Sequence, residues 1–153
     1  MIHKIIVLLF CFCLASGMNA QGIVKKAELI GSWKVVKVEM PGIVVAEGES
    51  LIFTESYFSD LSESMTKNFK KSFGLITQGS LNAKHTFAKD GTFTQTSKDG
   101  QVSKGKYTLK GSKLSFHYSN GDNKEFSISI QNNQLIFSYQ ERDTQMIFTN
   151  NKI

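Results

Sequence analysis

The sequence predicts an all-β protein, an eight-stranded antiparallel up-and-down barrel with one short helix between its first and second strands. Between residues 84 and 150, short runs alternate apolar and polar residues, and this period of two is typical of half-buried strands. Turn signals such as Asn120 and Gly121 separate the runs, and connections this short make neighbouring strands antiparallel. A single segment before these runs has helical spacing.

Residues 1–20 have the features of a secretory signal peptide. Lys4 gives a charged start, residues 5–14 form an apolar run of ten, and small residues follow it. The run is short for a membrane span. We therefore expect cleavage after Ala20, and a mature domain that comprises residues 21–153.

The two cysteines predict export without lipid attachment. Cys11 and Cys13 both lie in the apolar run, and Phe10 and Phe12 occupy the preceding positions, where lipid attachment requires small residues. The mature chain would contain no cysteine, and hence no disulfide. We expect a soluble secreted or periplasmic protein that does not span a membrane after cleavage of its signal peptide.

The basic residues are scattered rather than clustered. The chain has 18 Lys and Arg against 13 Asp and Glu. Lysines spread over strand faces and turns are typical of a solvated surface. We expect no nucleic-acid partner.

The first strand of the predicted domain covers residues 29–40 and ends before Pro41 and Gly42. Residues 43–57 show no clear pattern beyond a short strand at residues 51–54. Asp60 and Glu63 then resemble a capping box, and Gly74 is a typical residue at a helix end. The predicted helix between them has an apolar stripe formed by Leu61, Met65, Phe69 and Phe73.

The other seven strands follow in order along the chain. An eight-stranded meander avoids exposed edges by closing into a barrel, whose interior is either filled by side chains or holds one small ligand. The predicted strands are residues 82–88, 92–97, 102–109, 113–119, 124–130, 134–140 and 144–150.

Gly31, Ser32 and Trp33 at the start of the first strand, followed by this meander, resemble the lipocalin-like domains of secreted bacterial proteins, which belong to the calycin group. The resemblance covers nearly the whole mature chain. It implies that Trp33 closes the barrel floor. It also implies a basic residue from the end of the last strand over the Trp33 ring, and Lys152 is the candidate.

The inward positions become more polar from floor to rim. Low positions are apolar, whereas Ser97, Tyr118 and Tyr139 fall near the rim, so the lumen suits an apolar ligand with one polar end. The predicted lumen residues are Trp33, His85, Phe87, Phe93, Tyr107, Phe116, Tyr118, Phe126, Ile128, Phe137, Tyr139, Met146 and Phe148.

Two further features are placed at the rim. Arg142, the only arginine, lies in the turn between the last two strands and is a candidate to attract an anionic head group. The predicted helix starts and ends at the rim, so its stripe covers either the barrel mouth, as a lid, or the outer wall. Fatty-acid-binding proteins, which the chain resembles in layout, place helices over the opening.

Three functional classes are compared. The first is an exported protein that holds an apolar or amphipathic small molecule in its lumen. The second is a filled barrel that binds or inhibits a protein partner in the cell envelope. The third, an enzyme, is not favoured, because no inward carboxylate or second His or Cys accompanies His85. We expect no catalytic residues, no metal site and no cofactor.

Overall fold

The computed structural model describes residues 23–141 and 143–153. The predicted signal peptide, residues 1–20, and Arg142 lie outside the described residues. A short helix, α1 (Lys26–Leu29), precedes the barrel, and a longer helix, α2 (Glu63–Ser80), follows a 3-10 turn at Glu55–Phe58. The strands are β1 (Gly31–Met40), β2 (Val44–Glu47), β3 (Ser50–Phe53), β4 (Lys84–Phe87), β5 (Thr92–Thr96), β6 (Val102–Lys110), β7 (Lys113–Tyr118), β8 (Asn123–Gln131), β9 (Gln134–Glu141) and β10 (Thr144–Lys152).

The predicted eight-stranded barrel is confirmed. Strands β4 to β10 pair antiparallel in chain order, and β10 closes the sheet by pairing with β1. The other edge of β1 is shared, because its first half pairs with β4 and its second half with β2. A register shift between Val35 and Lys37 marks the change of partner. We call the Trp33 end of the barrel the floor and the Met40 end the rim.

The β2–β3 hairpin is additional to the eight predicted barrel strands. Strand β3 matches the short strand predicted at residues 51–54, whereas β2 was not predicted. The hairpin extends the upper half of β1, with Val44 and Ala46 buried on its inner face. The turn between its strands contains Gly48 at a φ of +57°, a conformation that suits glycine. Strand β2 has the sequence Val-Val-Ala-Glu, which does not alternate apolar and polar residues, so the period of two does not reveal it.

Both predicted ends of α2 are wrong. The N-cap is Ser62 rather than Asp60, and its hydroxyl accepts a hydrogen bond from the Met65 amide at 3.4 Å. The helix continues past Gly74 to Ser80. A Cβ atom at Gly74 would lie 3.2 Å from the Leu51 side chain, so glycine allows the helix to approach the hairpin closely rather than ending it.

The buried face of α2 also differs from the predicted stripe. Gly74 and Thr77 are buried against the β1–β2–β3 surface. Met65 and Phe69 are 47% and 39% exposed, and Leu61 and Phe73 are half-buried. Close helix–sheet packing selects small side chains, and these do not stand out in a search for apolar periodicity.

The lower barrel is filled by a continuous core. Its buried members pack as interlocking rings and aliphatic side chains, with Phe93 and Phe116 centroids only 4.5 Å apart. The core residues are Val24, Leu29, Trp33, Phe87, Phe93, Tyr107, Leu114, Phe116, Ile128, Leu135 and Phe137.

Gly105 of β6 makes room for this core, which leads to the first prediction. A Cβ atom there would lie 2.8 Å from the Phe93 ring and would collide with the His117 carbonyl oxygen. Gly105→Ala should therefore reduce the free energy of unfolding by roughly 1–3 kcal/mol, the usual cost of overpacking. Urea denaturation measures the change.

Gly79 of α2 provides the matched control, because a Cβ atom there meets nothing within 4 Å. Gly79→Ala should stabilise the protein by about 0.5–1 kcal/mol through helix propensity. Equal stability of the Gly105→Ala variant and the parent would contradict the described packing of Phe93.

Candidate functional site in the upper lumen

A cavity of about 200 Å³ occupies the upper lumen and opens at the rim. Its walls combine four phenylalanine rings with several polar groups. Its lining residues are Val35, Gly79, Ser80, Ala83, His85, Gln95, Ser97, Phe116, Tyr118, Lys124, Phe126, Phe137 and Phe148.

The predicted lumen residues separate into three groups. Those that line the cavity are His85, Phe116, Tyr118, Phe126, Phe137 and Phe148. Those that fill the core beneath it are Trp33, Phe87, Phe93, Tyr107 and Ile128. Tyr139 lines a groove outside the cavity. Met146 packs against buried residues of β1 and β2, among them Val38 and Val44. The lumen is therefore filled in its lower half and hollow above.

Several residues that line the cavity were not predicted from the sequence. Val35 and Ala83 have small side chains that leave space, and Gly79 and Ser80 belong to the last turn of α2. Lys124 could have been found, because it shares the inward parity of Phe126 and Ile128 along β8.

The floor matches the arrangement implied by the resemblance. Trp33 is buried, and its indole Nε1 donates a hydrogen bond to the Leu29 carbonyl oxygen at 2.8 Å. The Lys152 ammonium lies 5.2 Å from the centre of the Trp33 ring, a cation–π distance. Gly31, at a φ of +123°, leaves room for the Lys152 side chain. The expected contact between the last strand and the floor is thus observed.

His85 lies at the inner end of the cavity. It is opposite Trp33 in the β1–β4 ladder and is only 8% exposed. Burial lowers the pKa of the imidazole from 6.5 to about 4, so the ring is neutral at pH 7. The edge-on Phe137 ring lies with its centroid 5.3 Å away. His85 is therefore a neutral polar group among apolar side chains.

Two other polar side chains that line the cavity are linked to each other. The Tyr118 hydroxyl donates a hydrogen bond to Gln95 Oε1 at 3.0 Å. Burial raises the pKa of Tyr118, and the charge of Asp122 adds to this shift. Tyr118 is consequently a neutral phenol at pH 7, and the amide group of Gln95 is held beside the cavity.

Lys124 brings a positive charge to the mouth. It is the one lysine or arginine among the described lining residues, and none of those residues is an Asp or Glu. The nearby Glu125 forms an ion pair of 2.7 Å with Lys113. Lys124 is thus the charged lining side chain that is available to an anionic group at the mouth.

The barrel wall opens beside Lys124. The β8–β9 ladder starts at Gln131 and Gln134 and stops at Ser127 and Ser138, although both strands continue toward the rim. An outer groove of about 600 Å³ lies there and shares Lys124 and Phe126 with the cavity. The rings of Phe126 and Tyr139 stand 5.4 Å apart across this gap.

The predicted rim groups are only partly brought to the cavity. The last turn of α2 forms part of the wall through Gly79 and Ser80, whereas Leu61, Met65, Phe69 and Phe73 do not line the cavity. Arg142 lies outside the described residues. The helix therefore borders the mouth with its C-terminal end rather than covering it with the predicted stripe.

Within residues 23–141 and 143–153, no cluster of three His, Cys, Asp or Glu side chains could hold a metal ion. No helix in the same ranges is long and apolar enough to cross a membrane.

The chain belongs to the lipocalin-like domain family, whose pattern matches residues 29–137. Proteins of this family are generally non-enzymatic binding proteins, and their barrel fold suggests ligand binding. None of the curated proteins matches the chain.

Several solved structures are similar to this chain. An uncharacterized protein from Bacteroides eggerthii has 13% identity and a TM-score of 0.47, over 82% of this chain and 99% of its own. A lipocalin-like protein from Bacteroides uniformis has 17% identity and a TM-score of 0.44, over 80% of this chain and 97% of its own. A DUF4847 family protein from Bacteroides vulgatus has 17% identity and a TM-score of 0.44, over 82% of this chain and 95% of its own.

Proposed function

We propose that this chain is an exported carrier or sensor that holds one small, amphipathic molecule in the upper lumen. The observation that carries the proposal is the cavity of about 200 Å³, which has aromatic walls and opens at the rim. Pockets of this composition bind the apolar body of a ligand and orient it through a few polar groups. Export rests on the signal-peptide features of residues 1–20.

The size of the cavity limits the ligand. A cavity of about 150 Å³ accommodates benzene, so 200 Å³ suits one substituted ring or a short acyl chain. A longer tail would extend through the mouth or through the gap between β8 and β9. We therefore propose a compact ligand rather than a fully enclosed long-chain lipid.

Lys124 supplies the proposed selectivity for charge. An anionic group at the outer end of the ligand would meet its ammonium at the mouth, with no carboxylate among the described lining residues to oppose it. Lys124 takes the role that was predicted for Arg142 from the sequence.

Two other functions fit less well. An interaction module requires a filled lumen, and only the lower half of this barrel is filled. Catalysis by His85 requires a partner such as a carboxylate, and none lines the cavity in the described part of the chain. The proposal therefore includes no chemical step, cofactor or metal.

Binding of 3-phenylpropanoate and its uncharged amide, measured by isothermal titration calorimetry, tests the proposal. The parent protein should bind the carboxylate about two- to fivefold more tightly than the amide, which is the range expected for a partly exposed ion pair. Lys124→Gln should remove this preference and leave the affinity for the amide unchanged.

Lys106→Gln is the matched control, because Lys106 is exposed on β6 and does not line the cavity. Ala83→Leu provides a second control by adding volume inside the cavity, and it should weaken both ligands. If neither ligand binds the parent, the proposed ligand class is wrong. Native mass spectrometry of protein purified from its own host would then identify a retained molecule of another class.

A further inference from the structure

Two buried polar atoms near the inner end of the cavity have no hydrogen-bond partner among the described residues. They are His85 Nδ1 and Asn150 Oδ1. The side-chain nitrogen of Asn150 donates to the Leu135 and Phe148 carbonyl oxygens at 3.0 and 3.1 Å, which fixes the orientation of the amide. Its oxygen is therefore a buried acceptor without a donor, and buried unpaired groups are costly.

The two side chains flank the same stretch of β1. His85 is paired with Trp33 in the β1–β4 ladder, and Asn150 with Val35 in the β1–β10 ladder. Asn150 is close enough to raise the pKa of His85, against the larger effect of burial, although no hydrogen bond of ordinary geometry joins them. A carbonyl oxygen has this effect when it faces a ring N–H.

This placement selects one tautomer of His85. With Asn150 Oδ1 as the neighbouring acceptor, the proton of the neutral ring resides on Nδ1, and Nε2 keeps its lone pair. His85 lines the cavity while Nδ1 is fully buried, so the ring meets the cavity through its other edge, which carries Nε2. The adjoining cavity walls include the apolar side chains of Phe116, Phe137 and Ala83. Gln95 pairs with His85 in the β4–β5 ladder, and its side-chain oxygen accepts a hydrogen bond from the Tyr118 hydroxyl.

We propose that His85 Nε2 is a hydrogen-bond acceptor for the inner end of the ligand, which carries a hydroxyl or N–H group. Asn150 is a positioning residue that orients the ring. This inference deepens the proposed function and rests on it. Together with Lys124 at the mouth, it defines the ligand class as a small hydroxy- or amino-substituted aromatic molecule with an anionic outer end.

Phenol and toluene are suitable probes, because they have nearly the same shape and differ in one donor. We expect phenol to bind the parent protein about fivefold to tenfold more tightly than toluene, the value of one net hydrogen bond. In His85→Phe, toluene should bind at least as tightly as phenol. Ligand-observed NMR measures both affinities.

Gln95→Leu is the control for the polar lining side chain that pairs with His85 across the β4–β5 ladder. It should keep the preference for phenol, because the Gln95 side-chain oxygen is already engaged by the Tyr118 hydroxyl. A preference that disappears in Gln95→Leu but persists in His85→Phe would overturn the assignment to His85.

The tautomer provides a readout that does not depend on a variant's folding. Nitrogen-15 NMR of the parent should show a proton on Nδ1 and none on Nε2, and the Nε2 resonance should shift with phenol but not with toluene. In Asn150→Ala, the single tautomer should give way to a mixture. A proton on Nε2 in the free parent protein would overturn the proposal.

The two proposals fail in different ways. If 3-phenylpropanoate binds through Lys124 but toluene binds the parent as tightly as phenol, the acceptor role of His85 is wrong and the carrier function stands. If none of these aromatic probes binds, both proposals are wrong.

Discussion

Trp33→Ala should reduce the free energy of unfolding by about 3–5 kcal/mol, the usual cost of removing a large buried aromatic side chain. Trp33 is 1% exposed and packs in the lower core, so its removal leaves a cavity that rigid strands on all sides cannot fill. It also leaves the Leu29 carbonyl oxygen without the indole donor. Urea denaturation followed by circular dichroism measures the change.

Trp33→Phe and Lys152→Ala separate the contributions at the floor. Trp33→Phe keeps an aromatic ring and loses the indole N–H, so it should cost less than Trp33→Ala. Lys152→Ala removes the cation above the ring, a contact worth about 0.5–1 kcal/mol at an exposed site. A loss below about 1 kcal/mol in Trp33→Ala would mean that the indole is not part of the core.

The barrel could be predicted because most of its strands are long enough to show their period, and the four-residue β4 still alternates, with His85 and Phe87 buried. Eight of the ten strands in the described part of the chain form the closed meander, and Asn132 and Asn133, both at positive φ, form the two-residue turn between β8 and β9. Each alternation also identifies the inward side chains, so the phenylalanines of the core and of the cavity were recognised together.

The boundary between core and cavity could not be predicted in this way. Phe93 and Phe126 have the same residue type and the same inward parity, yet one fills the lower barrel and the other lines the cavity. The difference depends on small neighbours such as Ala83 and on the register between strands. The C-terminal end of α2 was predicted wrongly for a related reason. Gly74 allows the helix to pack closely against the Leu51 side chain and does not end the helix.

Acidification from pH 7 to pH 4 should destabilise the protein by about 3 kcal/mol through His85 alone. Burial depresses the folded-state pKa to about 4, whereas the imidazole of the unfolded chain titrates near 6.5. Between these values the unfolded state binds more protons than the folded state, so stability falls as the pH decreases from about 6.5 to 4. The free energy of unfolding, measured by urea denaturation at half-unit pH intervals, checks this slope.

His85→Gln removes the titrating group and should flatten the slope in this window. The carboxylates of Asp90 and Glu125 provide a contrast, because hydrogen bonding lowers their pKa values and places their effect at lower pH. A direct NMR titration of the His85 ring protons in the folded parent supplies a second measurement. A midpoint near 6.5, or a slope unchanged in His85→Gln, would show that the imidazole is not buried in the neutral form at the inner end of the cavity.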